Sequence, residues 1–157
     1  MPTIQASIDI HASATDVFAL AQDYALRLVW DPFLAEMKFR DGATEANVGV
    51  RVWVRAKNGM TMEVRYITLR APEHVAMTMT DGPTVFSQFS GAWTFKALAA
   101  DRTHVVFRYN FATRPRLLAP VMEPVVAMVL KREMQARLVG LKRGVEETDI
   151  LSRLPPR

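Results

Sequence analysis

Two phenols, Tyr66 and Tyr109, stand where strand alternation turns side chains inward. Their same-face neighbours are almost all hydrocarbon or thioether. A neutral phenol, with a pKa of about 10, can donate a hydrogen bond to a carbonyl oxygen and stabilise a developing enolate. Tyr66 and Tyr109 are therefore the candidate catalytic residues, and Ser87 shares their inward parity. The competing reading makes each phenol part of the core, its hydroxyl bonded to backbone or water. Asp31, directly after Trp30, is expected to be a helix-end or turn residue. Glu123 and Arg132 lie near the inward stripe of a late helical segment, and their charged ends are expected to reach solvent.

Other chemistries are poorly served. His11, His74 and His104 fall in different elements, with no HxxxH or HExxH spacing, so no metal site is expected. The chain has no cysteine, which excludes a thiolate nucleophile, a disulfide and a Cys-based metal site. No serine sits in a Gly-x-Ser-x-Gly context. The seven glycines are dispersed along the chain and do not gather into a phosphate loop. No cofactor is implied. The net charge of +4 is spread along the chain, and acids interrupt the bases in KREMQAR and KRGVEETD. The clustered basic and aromatic residues of a nucleic-acid binder are missing. The longest apolar stretch, Leu117 to Leu130, falls short of the roughly 18 residues of a spanning helix and contains two prolines and Glu123. The first residues, MPTIQASIDI, lack a signal-peptide pattern, so a cytoplasmic protein without an integral membrane segment is expected.

The elements that must position these residues can be read from periodicity. Ile4, Ala6, Ile8 and Ile10 alternate with polar residues, which is a half-buried strand. Ser13 precedes Asp16 by three, a capping pattern that opens a short helix. A second short helix, Tyr24 to Val29, must stop at Trp30-Asp31-Pro32. Strands are expected around Phe33–Phe39, Val48–Val54, Met60–Tyr66, Val75–Met79, Val85–Phe95 and Val105–Phe111. Asn58-Gly59 between two alternating runs marks a hairpin. After a short turn at 115–119 and a bend, one helix should run from about Val121 to Thr148. Met122, Val126, Leu130, Met134, Leu138, Leu141 and Val145 form one face of it. Gly140 and Gly144 are one turn apart and could let it approach the sheet closely. At 157 residues, half of them hydrophobic, one domain over 1–150 is expected, followed by a fraying tail at 151–157.

Such a sheet, apolar on one face, and a single long helix cover one another best if the sheet curves around the helix. An apolar cavity then lies between them. Its expected lining is Trp30 after the second short helix, Met62 and Tyr66, Met77, Phe89 and Trp93, Phe107 and Tyr109, with Met122, Val126 and Met134 from the helix. Thioethers accommodate varied apolar shapes, and Met37, Met60 and Met79 share the inward parity. Trp53 falls on the opposite, convex face. It is expected to be covered by basic side chains, with a homodimer surface as the alternative.

The segments IDIHASATDVFALAQDYALRLVWDP, GAWTFKAL, THVVFRYNF and LKRGVEE resemble the START/Bet v 1-like (SRPBCC) superfamily, specifically its polyketide cyclase/dehydrase and lipid-transport branch. The resemblance covers about residues 3–148. It implies an α+β helix-grip fold: a curved seven-stranded antiparallel sheet wrapped around a long C-terminal helix, with two short helices after the first strand. It also implies an enclosed cavity for lipids, sterols, quinones, polyketides or plant hormones. The function expected first is binding or transport of a hydrophobic small molecule such as a lipid, a quinone or an aromatic polyketide. A polyketide aromatase/cyclase or dehydratase using the same cavity is the alternative, and a protein-interaction or chaperone-like module is a third.

Overall fold

The computed structural model describes residues 2–155. Strand β1 (Thr3–Ile10) leads into two short helices, α1 (Ala14–Gln22) and α2 (Tyr24–Trp30). Six strands follow: β2 (Leu34–Phe39), β3 (Arg51–Ala56), β4 (Thr61–Arg70), β5 (His74–Asp81), β6 (Phe86–Ala99) and β7 (Arg102–Thr113). The long helix α3 (Ala119–Glu147) comes last. The strands form one sheet in the order β1-β7-β6-β5-β4-β3-β2, antiparallel at every pairing. Bulges in β2, β4, β5 and β6 add local twist and bend, and the sheet curves around α3. This is the helix-grip architecture.

Local chemistry accounts for the boundaries. Ser13 Oγ accepts a hydrogen bond from the Asp16 amide at 3.2 Å and caps α1. Asp23 Oδ1 caps α2 by accepting from the Leu26 amide at 3.1 Å. At the β3–β4 hairpin Gly59 has φ 92°, a conformation that glycine adopts without steric cost. Strand β3 starts at Arg51, later than the alternation from Val48 suggests. Gly49 at φ 88° and a Val50 N–H to Asn47 carbonyl bond of 3.0 Å make residues 47–50 a turn. On the convex face Trp53 is covered by Lys38 and Arg40, 5.6 and 5.7 Å from its ring. The covering bases come from neighbouring β2 and the residue just after it rather than from Trp53's own strand.

Helix α3 has two different halves. Met134, Leu138, Leu141 and Val145 are buried and belong to one core with Ile10, Val17, Leu20, Val105 and Phe107. Val121, Val125, Met128 and Val129, in the first half, are exposed. The helix runs through Pro124, whose missing N–H removes one bond near the helix start. Gly140 and Gly144 do permit close approach, but to α2 and the chain just after it rather than to the sheet. A Cβ at Gly140 would sit 2.6 Å from the Trp30 carbonyl oxygen and 2.9 Å from Pro32 Cδ. Beyond α3, Ile150–Arg153 form a 3-10 turn, and Leu151 and Leu154 pack on the core. Fraying was expected there; Pro156 and Arg157 lie outside the described residues.

Candidate functional site

Between the sheet and the first half of α3 lies a cavity of about 340 Å³. Val54, Met62, Val64 and Met77 supply its sheet wall, Phe89, Trp93 and Phe107 its aromatic wall, and Val126 and Leu130 its helical wall. Val125, Val129 and Met60 also line it while 56%, 47% and 45% exposed. The cavity therefore opens to the surface at the N-terminal half of α3. Its other end is closed by buried Trp93, Tyr109 and Arg137.

Seven of the eleven expected lining residues face this cavity: Met62, Met77, Phe89, Trp93, Phe107, Tyr109 and Val126. Four do not. Met134 lies beyond the inner end, where α3 has closed onto the core. Trp30 packs edge-on against Trp93, ring centroids 6.4 Å apart, and lies under Gly144. Met122 stands a turn before the mouth and is half-buried. Tyr66 is fully buried behind Tyr24. Its hydroxyl bonds the Tyr24 hydroxyl and donates to Gln22 Oε1 at 3.1 Å, while the Tyr24 ring faces the cavity. Ser87 also turns away from the cavity, because the bulge between Phe86 and Gln88 shifts the alternation. Phe86 lines the cavity against regular parity, while Phe89 keeps the inward place that alternation gives it.

The inner end is polar. Asp31, at the C-cap of α2, is fully buried. Its Oδ2 accepts from Arg137 Nε at 3.0 Å and from Arg27 Nε at 3.5 Å, and its Oδ1 accepts from the Phe33 amide at 2.9 Å. Arg137 Nη1 donates to the Tyr109 hydroxyl at 2.7 Å. Burial alone would raise the Asp31 pKa, but the guanidiniums of Arg137 and Arg27 overcome it and hold the carboxyl below its ordinary range. The Tyr109 phenol is pushed up by burial, against the pull of Arg137. Burial likewise raises Glu133, which lines the cavity one turn before Arg137.

Asp31 is thus the helix-end residue that its position suggests, and it is also the hub of a buried ion cluster. Arg132 is exposed. Glu123 stays at the protein edge, accepting from Thr113 N and Oγ1 at 3.3 and 3.4 Å. Arg27 and Arg137 are the polar residues that sequence reasoning passed over. The signal was present: Arg137 follows Met134 by three and precedes Leu141 by four, squarely on the inward stripe. Arg27 precedes Asp31 by four, the spacing of a helical ion pair. Among the described residues no group of three or more His, Asp or Glu is placed to hold a metal ion. No helix there is long and apolar enough to cross a membrane.

The sheet, the gripped helix and the cavity define a START-like protein. The chain matches the family described as polyketide cyclase/dehydrase and lipid transport over residues 1–146, and it belongs to that family. A search of curated proteins finds no match. Among solved structures it is similar to the Zhui aromatase/cyclase from Streptomyces sp. R1128, with a TM-score of 0.71 and 19% identity over 92% of this chain and 96% of that one. A START superfamily protein from Mycobacterium smegmatis has a TM-score of 0.77 and 12% identity, over 92% and 97% of the two chains. The di-domain ARO/CYC protein BexL has a TM-score of 0.78 and 16% identity, over 93% of this chain and 47% of that one. These likenesses are likenesses of fold.

Proposed function

We propose that this protein binds and carries a hydrophobic small molecule of the lipid, quinone or aromatic polyketide kind in the cavity between sheet and α3. One observation carries the reading: a 340 Å³ space walled by hydrocarbon, thioether and aromatic groups, with one open end. Its size falls within the roughly 300–1,000 Å³ of small-molecule pockets. Burying apolar ligand area at about 25 cal/mol per Å² supplies the affinity. A neutral apolar fluorescent probe should bind with a Kd on the order of micromolar. Val126→Trp, which pushes a large ring into the cavity from α3, should abolish that binding and leave the thermal transition cooperative. A wild-type protein that binds no apolar probe would make these walls plain core.

The placement of Tyr109 favours a second reading, a cyclase or dehydratase. Tyr109 lines the cavity, and its hydroxyl accepts from Arg137, so the phenolic proton is not used in that bond and is available to a ligand carbonyl. If the protein turns over a poly-β-ketone, Tyr109→Phe should lower turnover by roughly 10²-fold, the scale of losing one preorganised donor. Tyr66→Phe should leave turnover nearly unchanged, because Tyr66 lies outside the cavity. Equal turnover in wild type and Tyr109→Phe would rule this reading out.

A further inference from the structure

A cavity for hydrocarbon alone has no use for charge, yet its inner end holds two guanidiniums. Arg27 and Arg137 both line it and are 2% and 5% exposed. One carboxylate, Asp31, sits between them, and its Oδ2 is shared by both Nε donors. A single Arg–Asp pair would hold α2 against α3 and be neutral. The second guanidinium leaves one positive charge over, in a setting where unpaired charge is strongly disfavoured. Aromatic faces soften that cost: Arg27 lies 5.4 Å from the Trp93 ring, and Arg137 lies 5.0 Å from Phe107 and 5.2 Å from Phe33. Ring faces do not neutralise it. Glu133 lines the cavity one turn before Arg137 and its charge is felt by that guanidinium, but no ion pair or hydrogen bond joins the two among the described residues, and burial favours the neutral Glu133. Arg27 is also weakly held, through bonds of 3.5 Å to Asp31 and 3.4 Å to the Ala21 carbonyl.

We infer that the cavity takes an amphipathic monoanion, with its apolar body toward the mouth and one anionic oxygen group, a carboxylate or an acidic enol, seated against Arg27 and Arg137. The inference rests on the cavity reading proposed above and names the ligand's polar end. The anion completes a pairing of two guanidiniums with two negative groups. Guanidinium forks suit planar oxygen anions, which they can bind through two parallel N–H bonds. The dimensions agree. From Val125 at the mouth to Arg137 at the inner end is twelve helical residues, about 18 Å at 1.5 Å per residue, the reach of a medium-length chain or a few fused rings.

Displacement of neutral N-phenyl-1-naphthylamine from the full chain tests this, at a pH well above carboxylate titration. Dodecanoate, dodecanol and dodecylamine share a body and differ only in the head. Dodecanoate should displace the probe about ten- to a hundredfold more effectively than dodecanol, the scale of a charged hydrogen bond. Dodecylamine should be weakest. Naphthoate against naphthol separates an aromatic acid from an aliphatic one. Arg27→Met keeps the shorter Arg137–Asp31 pair and the apolar volume. It should erase the preference for the acid while dodecanol binds as before; a merely structural Arg27 would weaken both alike. Glu133→Gln should leave dodecanoate binding equal or tighter, and weaker binding would count against the inference. If Arg27→Met does not fold, the order of the three heads in wild type decides alone. Equal displacement by all three overturns the anionic head and leaves the cavity reading intact. A wild type that binds neither the probe nor any of the three chains overturns both.

Discussion

At Asp31 a single carboxylate holds two buried guanidiniums and a backbone amide. Removing its charge while keeping its shape leaves both cations buried together. Asp31→Asn should therefore destabilise the fold by about 3–5 kcal/mol, the cost of breaking a buried pair, read from the shift of the urea midpoint. The same carboxyl gives a pH dependence of known sign. Its folded-state pKa lies below the ordinary 3.8. Its stabilisation is fully present above that value and is lost as pH falls through the depressed one, because the unfolded chain then binds the proton more readily. Urea midpoints should fall steeply below about pH 4 in wild type, and Asp31→Asn should flatten that part of the curve. An equally steep acid limb in the variant would assign the effect to other carboxylates. The two tyrosines divide at this scale too: Tyr109 is shared by cavity and ion cluster, whereas Tyr66 belongs to a hydroxyl–amide network behind the wall.

Among the elements, the crossing of α2 and α3 decides the inner end of the site. Gly140 lies three residues after Arg137, and its missing side chain lets α3 meet Trp30 and Pro32. That contact brings Asp31 to Arg137. Alanine is favoured over glycine in a helix interior by about 1 kcal/mol. Here the added methyl would collide with a backbone oxygen at 2.6 Å, and overpacking costs typically 1–3 kcal/mol. Gly140→Ala should lower the melting temperature, whereas Gly144→Ala, whose Cβ meets the Trp30 Cβ at 3.2 Å, should be nearer neutral. If Gly140→Ala raised it instead, the close crossing would be no constraint. Apolar positions on α3 recur evenly along the chain, yet the second half is core and the first half is cavity wall and rim. Periodicity records which face turns inward. It does not record how far the sheet stands off.

Across the whole molecule, stability and binding are linked. Any ligand that occupies the cavity of the folded chain alone raises its stability, by about 2.7 kcal/mol at a hundredfold excess over Kd. In a domain of this size that corresponds to a melting shift of roughly 5–10 °C. The shift should grow with ligand concentration in wild type and vanish in Val126→Trp. An equal shift in both proteins would place the ligand elsewhere. Exposed Val125 and Val129 line the open end of the cavity, and exposed Val121 and Met128 lie near them on α3, which makes that end of the helix an apolar rim.

Alternation in Val52 and Val54, the Asn58-Gly59 turn, the Ser13 cap and the seven-position stripe of α3 were enough to place strands, a short helix and the long helix and to mark the apolar face of each. These are local patterns, and burial of one face per element follows from them directly. The seven-stranded antiparallel helix-grip arrangement came with the family resemblance. Tertiary structure decided the rest. A bulge at Phe86/Gln88 displaced Ser87 from the inward row, because one extra residue reverses strand parity. Tyr66 and Met134 turned inward as their periodicity required, but they met packed core, since facing inward does not guarantee an open space. Arg27, Asp31 and Arg137 were visible only as charges on helices. Their assembly joins residues more than a hundred positions apart in sequence, and it depends on an approach of α2 to α3 that only the folded chain provides.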